Sequence, residues 1–344
     1  LARFILSKRV ALRQYSIARS YCDALAYSYK TNPHVWEVLK ETDSMVGVSS
    51  IASMERVEGG RAVYYLQGER EDEISYLLDR GVRWFIVDNE PELGKFIKIV
   101  ERRGEKVNLF IRVKMREHTI YTGKHFVYGI DWRKVPRIIE EIRSDLIDQL
   151  GIHFHRKTQN VGEWSLKEDV SEALADSLEL IDWINIGGGI PVKYANSKPE
   201  VDNILREIGE LKEFLNSRGI KLMMEPGRFI AAPSVALEAE VLNVYEGNVI
   251  LDCSIFNAYM DTYLLNIRLP VLGELEGGGF RYLLKGRSPD SLDIFRYSVY
   301  LDRELKPGDK VIFLNAGAYN FHTEFNDMPK IRVEIVDDFP FSLP

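Results

Sequence analysis

Trp183-Ile184-Asn185-Ile186-Gly187-Gly188-Gly189 and Lys221-Leu222-Met223-Met224-Glu225-Pro226-Gly227 bracket the helix-period segment Pro199–Arg218. A short apolar run, a helical segment and a second apolar run make a βα unit with its next parallel strand. The same alternation extends toward the N-terminus. Ala24–Lys30, Val46–Ser50, Ala62–Gly68, Trp84–Asn89, Asn108–Lys114 and Leu150–His155 complete a set of eight runs. Helix-capable segments follow every run but the last, among them Glu71–Arg80, Glu90–Arg103, Trp132–Ile147 and Leu166–Leu180. This α/β pattern predicts a closed (β/α)8 TIM-like barrel of roughly 200–250 residues, in place of an open doubly wound sheet.

After Pro233 the helix-period segments disappear. Val235–Tyr245, Asn248–Asp252, Arg281–Lys285 and Lys310–Leu314 read as strands, with a turn at Leu305-Lys306-Pro307-Gly308-Asp309. A C-terminal β domain is therefore expected. Arg3–Leu6 supplies it a further strand, since chain ends often lie close together. The division expected is a barrel over 10–235 and a β domain from 1–9 and 236–344.

The bulk numbers narrow the function. A chain of 344 residues suggests about two domains. A formal net charge of −7 leaves no basic excess to neutralise phosphates, so nucleic acid is not an expected partner. No stretch approaches the roughly 20 apolar residues that cross a bilayer. The apolar residues of Leu1–Val10 are broken by Arg3, Lys8 and Arg9, unlike a signal peptide. Cys22 and Cys253 are the only cysteines and lie at no metal-ligand spacing, so neither a disulfide scaffold nor a metal site is expected. A cytoplasmic enzyme fits these numbers.

In such barrels the chemistry gathers at the C-terminal strand ends. There the sequence delivers Lys30, Arg112, His155, Gly187-Gly188-Gly189 and Glu225-Pro226-Gly227-Arg228. A desolvated lysine beside other cations can attack a carbonyl. Consecutive glycines let backbone N–H groups approach a phosphate. A carboxylate can keep a pyridine nitrogen protonated, and arginine grips phosphate through its planar fork. Alone, each has an ordinary reading: a solvated lysine, a glycine turn, an ion pair across a turn, a rim histidine. Their conjunction, in order, on successive strands points to one anionic, aromatic cofactor.

These residues resemble those of the alanine-racemase-fold (fold type III) decarboxylases acting on ornithine, diaminopimelate, lysine, arginine and carboxynorspermidine. The likeness runs over nearly the whole chain. Ala26-Tyr27-Ser28-Tyr29-Lys30-Thr31-Asn32-Pro33 resembles the segment whose lysine carries pyridoxal 5'-phosphate as a Schiff base. Gly151-Ile152-His153-Phe154-His155 is similar to the strand whose final histidine stacks on the pyridine ring. Ile186-Gly187-Gly188-Gly189-Ile190-Pro191 resembles the phosphate loop, and Glu225-Pro226-Gly227-Arg228 the motif for pyridine nitrogen and phosphate. Asn315-Ala316-Gly317-Ala318-Tyr319 is similar to a segment whose tyrosine contacts phosphate, and Phe325-Asn326 to a pair near the substrate. Gly286-Arg287-Ser288-Pro289-Asp290-Ser291-Leu292-Asp293 resembles a substrate loop contributed across a dimer interface.

Departures are as informative. The usual His-x-Gly-Ser reads His155-Arg156-Lys157-Thr158, so Thr158 stands for the serine, and Arg156 and Lys157 add charge for a phosphate or carboxylate. The aspartate common after the second strand is replaced by Gly47. The cysteine that serves relatives as proton donor aligns with Pro289, leaving Asp290, a neighbouring tyrosine or water.

The resemblance implies a PLP-dependent carboxy-lyase working as an obligate homodimer with shared active sites. Lys30 and His155 are its implied catalytic groups, and Asp290 is a candidate catalytic proton donor beside a tyrosine or water. Asp290 and Asp293 offer negative charge to the distal ammonium of a basic amino acid of the ornithine or lysine type, giving a diamine. Arg268, in Asn266-Ile267-Arg268-Leu269-Pro270, instead resembles the arginine that holds a carboxylate in diaminopimelate decarboxylases. Leu251-Asp252-Cys253-Ser254 and the lost motifs resemble carboxynorspermidine decarboxylases, which usually lack the arginine that Arg228 supplies. From other classes, a racemase of the same fold needs an opposing tyrosine from the second domain, and a PLP carrier needs no substrate loop.

Overall fold

Every second side chain of a barrel strand faces inward, and that period builds the interior in layers. The computed structural model describes residues 1–115, 128–142, 145–162 and 164–343. Its barrel strands are Ala24–Ser28, Met45–Val48, Ala62–Leu66, Trp84–Val87, Val107–Lys114, Ile147–His153, Trp183–Asn185 and Lys221–Met224. All pair in parallel, and the pairing of Trp84–Val87 with Val107–Lys114 closes the ring. The predicted (β/α)8 barrel is present.

Ala26, Val63, Ile86, Phe110, Trp183 and Met223, one from each of six strands, form an inner layer. Met45 of a seventh strand packs against it. The eighth contributes Gly151, where a Cβ would fall 2.5 Å from the Phe110 ring and 2.9 Å from Trp183 Cβ. One pleat further toward the C-terminal ends, the inward positions are Ser28, Gly47, Tyr65, Asp88, Arg112, His153, Asn185 and Glu225. The layer changes from apolar to polar in a single step. That step is the floor of the cleft.

Local signals set the surrounding helices. Glu90–Arg103 begins with Asn89, whose side chain accepts from Glu92 N at 3.0 Å, and has Pro91 in its first turn. Gly104 ends it in the left-handed conformation, φ 64°. Other bounds depart from expectation. Trp132–Ile147 is a 3-10 turn, Trp132–Lys134, a short helix, Val135–Glu141, and the start of the next strand at Ile147; residues 143–144 lie outside the described set. Leu166–Leu180 divides into the helix Leu166–Ala173 and a 3-10 stretch, Ala175–Leu180. The last barrel strand is followed by a helix after all, Arg228–Ser234, which ends at Pro233-Ser234 where the chain turns extended.

Among the described residues the second sheet has seven strands, in the order Ile294–Leu301, Phe280–Lys285, Asn248–Leu251, Val235–Tyr245, Arg3–Ser7, Arg332–Val336, with Lys310–Phe313 also on Val235–Tyr245. Arg3–Ser7 does join it, antiparallel to Val235–Tyr245 and parallel to Arg332–Val336. Helices do not vanish from this part: Ile255–Ala258 and Asp261–Leu264 are single turns, and Asp261 proves important. Among the described residues, no helix is long and apolar enough to cross a membrane.

Candidate active site

The strand Ala24–Ser28 ends before Lys30, which sits in the 3-10 turn Tyr29–Thr31. Three bonds pin that turn. Tyr27 OH donates to Asn32 O at 2.9 Å, Asn32 Nδ2 donates to Gly317 O at 2.9 Å, and Tyr319 N donates to Thr31 O at 3.0 Å. The lysine is thus clamped between barrel and second sheet. Its side chain is exposed into the cleft, where the sequence reading expects a desolvated amine.

Glu225 lies on the floor, 5% exposed. Its Oε1 accepts from Asn185 Nδ2 at 2.5 Å and its Oε2 from Tyr65 OH. Burial raises the carboxyl above its ordinary range, while the hydrogen bonds from Tyr65 and Asn185 and the charges of Lys30 and Arg112 oppose the rise. Gly47 faces the same carboxylate: a Cβ there would stand 3.3 Å from Glu225 Oε2. His153 is fully buried with Nε2 3.1 Å from Tyr65 OH. Desolvation, then the charges of Arg112, His155 and Lys30, lowers its imidazole well below the usual value.

His155 stands just past its strand with its ring open to the cleft. Its depth among protein atoms, then Arg112 and Lys30, lowers its imidazole also. Gly188 N donates to His155 Nδ1 at 3.0 Å, so the glycine loop fixes the ring. Gly187 and Gly189 have φ 63° and 102°, and a Cβ at Gly188 would meet Glu225 O at 2.6 Å. Only glycines lie this close. Gly227 serves packing in the same way, since a Cβ would meet Thr31 Oγ1 at 2.1 Å.

Arg228 is buried, donating from Nη2 to Asp261 Oδ2 at 2.7 Å, from Nη1 to Tyr194 OH at 3.0 Å and from Nε to Thr158 Oγ1 at 3.3 Å. Its guanidinium lies 5.1 Å from the Tyr319 ring centre. The fork expected to be free for phosphate is largely engaged, and the buried partner Asp261 comes from the second sheet's part of the chain. Arg112 donates to Asp88 Oδ1 at 3.0 Å and lies over the Tyr128 ring at 4.9 Å. Arg156 is not a cleft cation: it is buried in an ion pair with Asp169.

The structure therefore gathers Lys30, Arg112, His155, Thr158, Gly187, Gly188, Gly189, Glu225, Gly227, Arg228 and Tyr319 in one cleft. The expected substrate residues each have partners within this chain. Asp293 is fully buried; Oδ1 accepts from Ile255 N at 2.9 Å and Oδ2 from Ser288 N at 3.0 Å, so it clasps its own loop. Asp290 is half-buried, with Oδ1 accepting from Leu292 N at 2.7 Å. Arg268 spends its guanidinium on the carbonyl of Ile294 at 2.6 Å, over the Tyr297 ring. Phe325 packs on Phe256, ring centres 4.4 Å apart.

Tyr65, His153, Asn185, Tyr194 and Asp261 escaped the sequence reading. For the first three a signal was there: each lies two residues beyond an inner-layer residue, the spacing that relates Met223 to Glu225. Tyr194 and Asp261 lie on loops, where no period speaks.

A floor carboxylate, a wall imidazole, a glycine cradle with Thr158 and Arg228 beside it, and a clamped lysine fit pyridoxal phosphate part by part. Fold and site define a pyridoxal-phosphate-binding barrel joined to a second sheet. Residues 13–232 match the family described as pyridoxal-dependent decarboxylase, pyridoxal binding domain, and the chain belongs to that family of PLP-dependent decarboxylases. Its relatives include a diaminopimelate decarboxylase of Methanothermobacter thermautotrophicus, 25% identical over 87% of this chain and 76% of that one. A lysine/ornithine decarboxylase of Selenomonas ruminantium is 24% identical over 91% and 84%. Among solved structures, the lysine/ornithine decarboxylase of Vibrio vulnificus complexed with cadaverine superposes with a TM-score of 0.79, covering 98% of this chain and 95% of that one at 24% identity.

Proposed function

We propose that this chain decarboxylates a basic amino acid of the lysine or ornithine type to a diamine, as a homodimer in which Asp290 faces the partner's cleft. The observation that carries the decarboxylase reading is the convergence of Lys30, His155, the triple glycine and Glu225 on one cleft. Lys30 Nζ, exposed in the cleft, is the amine that would hold the cofactor through its aldehyde. Glu225 holds a proton at the ring nitrogen, and His155 fixes the plane of the ring. Gly187–Gly189, Thr158, Arg228 and Tyr319 hold the phosphate end. Pyridoxal phosphate, when bound, supplies the sink for the electrons left as carbon dioxide departs.

Substrate choice rests on what is left to bind it. Arg268, the group suited to a second carboxylate, is engaged by Ile294 O, whereas Asp290 keeps one carboxylate oxygen beyond its turn. That favours a distal ammonium. Diaminopimelate is the second reading, supported by the relatives that act on it. The second sheet supports an enzyme over a barrel-only carrier.

The test is carbon dioxide release from ornithine, lysine, arginine, diaminopimelate and carboxynorspermidine by PLP-loaded protein. Release from lysine or ornithine, lost in Lys30→Ala, is expected. Release from diaminopimelate alone would move the assignment to the second reading. A bound-cofactor absorption band with no gas from any of them would overturn decarboxylation. Sizing is expected to give a dimer, and full activity in a monomer would remove the shared-site arrangement.

A further inference from the structure

Glu225 has a task that its surroundings oppose. A carboxylate that keeps a pyridine nitrogen protonated must itself be ionised, yet this one is buried among Gly47, Tyr65, His153 and Asn185. Burial disfavours the charge unless donors face it. Gly47 offers none, because it has no side chain.

The hydrogen bonds run in one direction. Asn185 Oδ1 accepts from Gly187 N at 2.9 Å, which turns the amide so that Nδ2 faces Glu225 Oε1 at 2.5 Å. Tyr65 OH has one proton, and Glu225 Oε2, with no proton to give, takes it. The contact between Tyr65 OH and His153 Nε2 at 3.1 Å then requires His153 to be the donor. That places the imidazole proton on Nε2 and leaves Nδ1 a bare acceptor, and Nδ1 is indeed a buried atom without a hydrogen-bond partner among the described residues. Burial, followed by the charge of Glu225, raises the Tyr65 phenol well above its usual value, so it stays a donor.

We propose that Tyr65 and Asn185 are positioning residues that hold Glu225 as a carboxylate toward the cofactor's ring nitrogen, Tyr65 lying beside the carboxylate oxygen that Gly47 leaves uncovered and being oriented by His153. The inference rests on the reading of Glu225 given above. It adds that the ring-nitrogen partner in this chain is a four-residue relay, His153 to Tyr65 to Glu225, with Asn185 on the other oxygen.

The experiment is a pH titration of the bound-cofactor absorption in wild type, Tyr65→Phe and Asn185→Ser holoenzymes, alongside kcat and KM profiles. The charged groups facing Glu225 are Lys30 and Arg112, with His153 and Tyr65 neutral beside it. Losing either donor raises the Glu225 carboxyl, so the acid limb of kcat and the cofactor's spectral transition should both move up by about one pH unit. kcat should fall about tenfold to a hundredfold with little change in KM. Tyr65→Phe keeps the ring volume; if it does not fold, Asn185→Ser carries the test through the other oxygen. Unmoved transitions in the folded variants would overturn the relay while leaving Glu225 its role. A wild type that binds no PLP would overturn the underlying reading instead.

Discussion

The guanidinium of Arg228, at the end of the barrel, meets the carboxylate of Asp261, from beyond the barrel, at 2.7 Å, and both side chains are more than nine-tenths buried. The pair ties the cofactor pocket to the second sheet. It also explains why the arginine is not free to act as a phosphate clamp alone.

Removing one partner of such a pair leaves an uncompensated buried charge. Asp261→Ala is therefore expected to destabilise the protein by about 3–5 kcal/mol. Denaturant unfolding of the cofactor-free protein checks it, and an unchanged midpoint would mean that the pair is solvated in solution.

Asp290 and Asp293 stand three residues apart in one loop and should respond oppositely. Asp293→Ala strands two backbone N–H groups, at a cost of about 1–3 kcal/mol each, and should lower the melting temperature. Asp290→Ala should leave the melting temperature nearly unchanged and raise KM for lysine or ornithine. Equal stability losses in the two variants would count against Asp290 as a substrate group.

Gly188→Ala brings a methyl to 2.6 Å from the carbonyl oxygen of Glu225, an atom that cannot swing away. Overpacking of this kind costs about 1–3 kcal/mol. PLP affinity should fall with it, read by fluorescence titration, because the displaced backbone is the one that lines the phosphate end.

His153 predicts a pH dependence. Its imidazole is held below the ordinary 6.5 by burial and by Arg112, His155 and Lys30, with Glu225 nearby at 4.0 Å. The unfolded chain takes up a proton first as pH falls. This contribution to stability is therefore present above 6.5 and is lost progressively below it, toward the depressed native value. His153→Gln, which cannot titrate, should flatten that part of the curve of unfolding free energy against pH. A curve as steep as wild type would assign the slope to other groups.

Much of this was legible in the sequence, for identifiable reasons. Glu90–Arg103 has its bounds in a cap, a proline and a glycine, so its expected and observed ends coincide. The barrel strands are buried on both faces and stand out as apolar runs. Ile294–Leu301 is a strand beyond those expected, although its β-branched and aromatic residues suit one, and the helix Lys8–Ser20 has its apolar positions interrupted by charge. The cleft residues were readable only together: lysine, glycine and glutamate each have ordinary structural uses at strand ends, and their order on successive strands is the signal. Asp293 misled for a physical reason: a carboxylate folded onto two amides and one exposed to a ligand have the same letter. Only the packing of Ile255 against that loop tells them apart.

The strand Arg3–Ser7 has consequences for synthesis on the ribosome. It lies between Val235–Tyr245 and Arg332–Val336, so its two neighbours emerge more than two hundred residues after it. Throughout translation of the barrel this segment has no edge to pair with. Its final seam closes only when Arg332–Val336 clears the exit tunnel, so of these three paired strands the first made waits for the last.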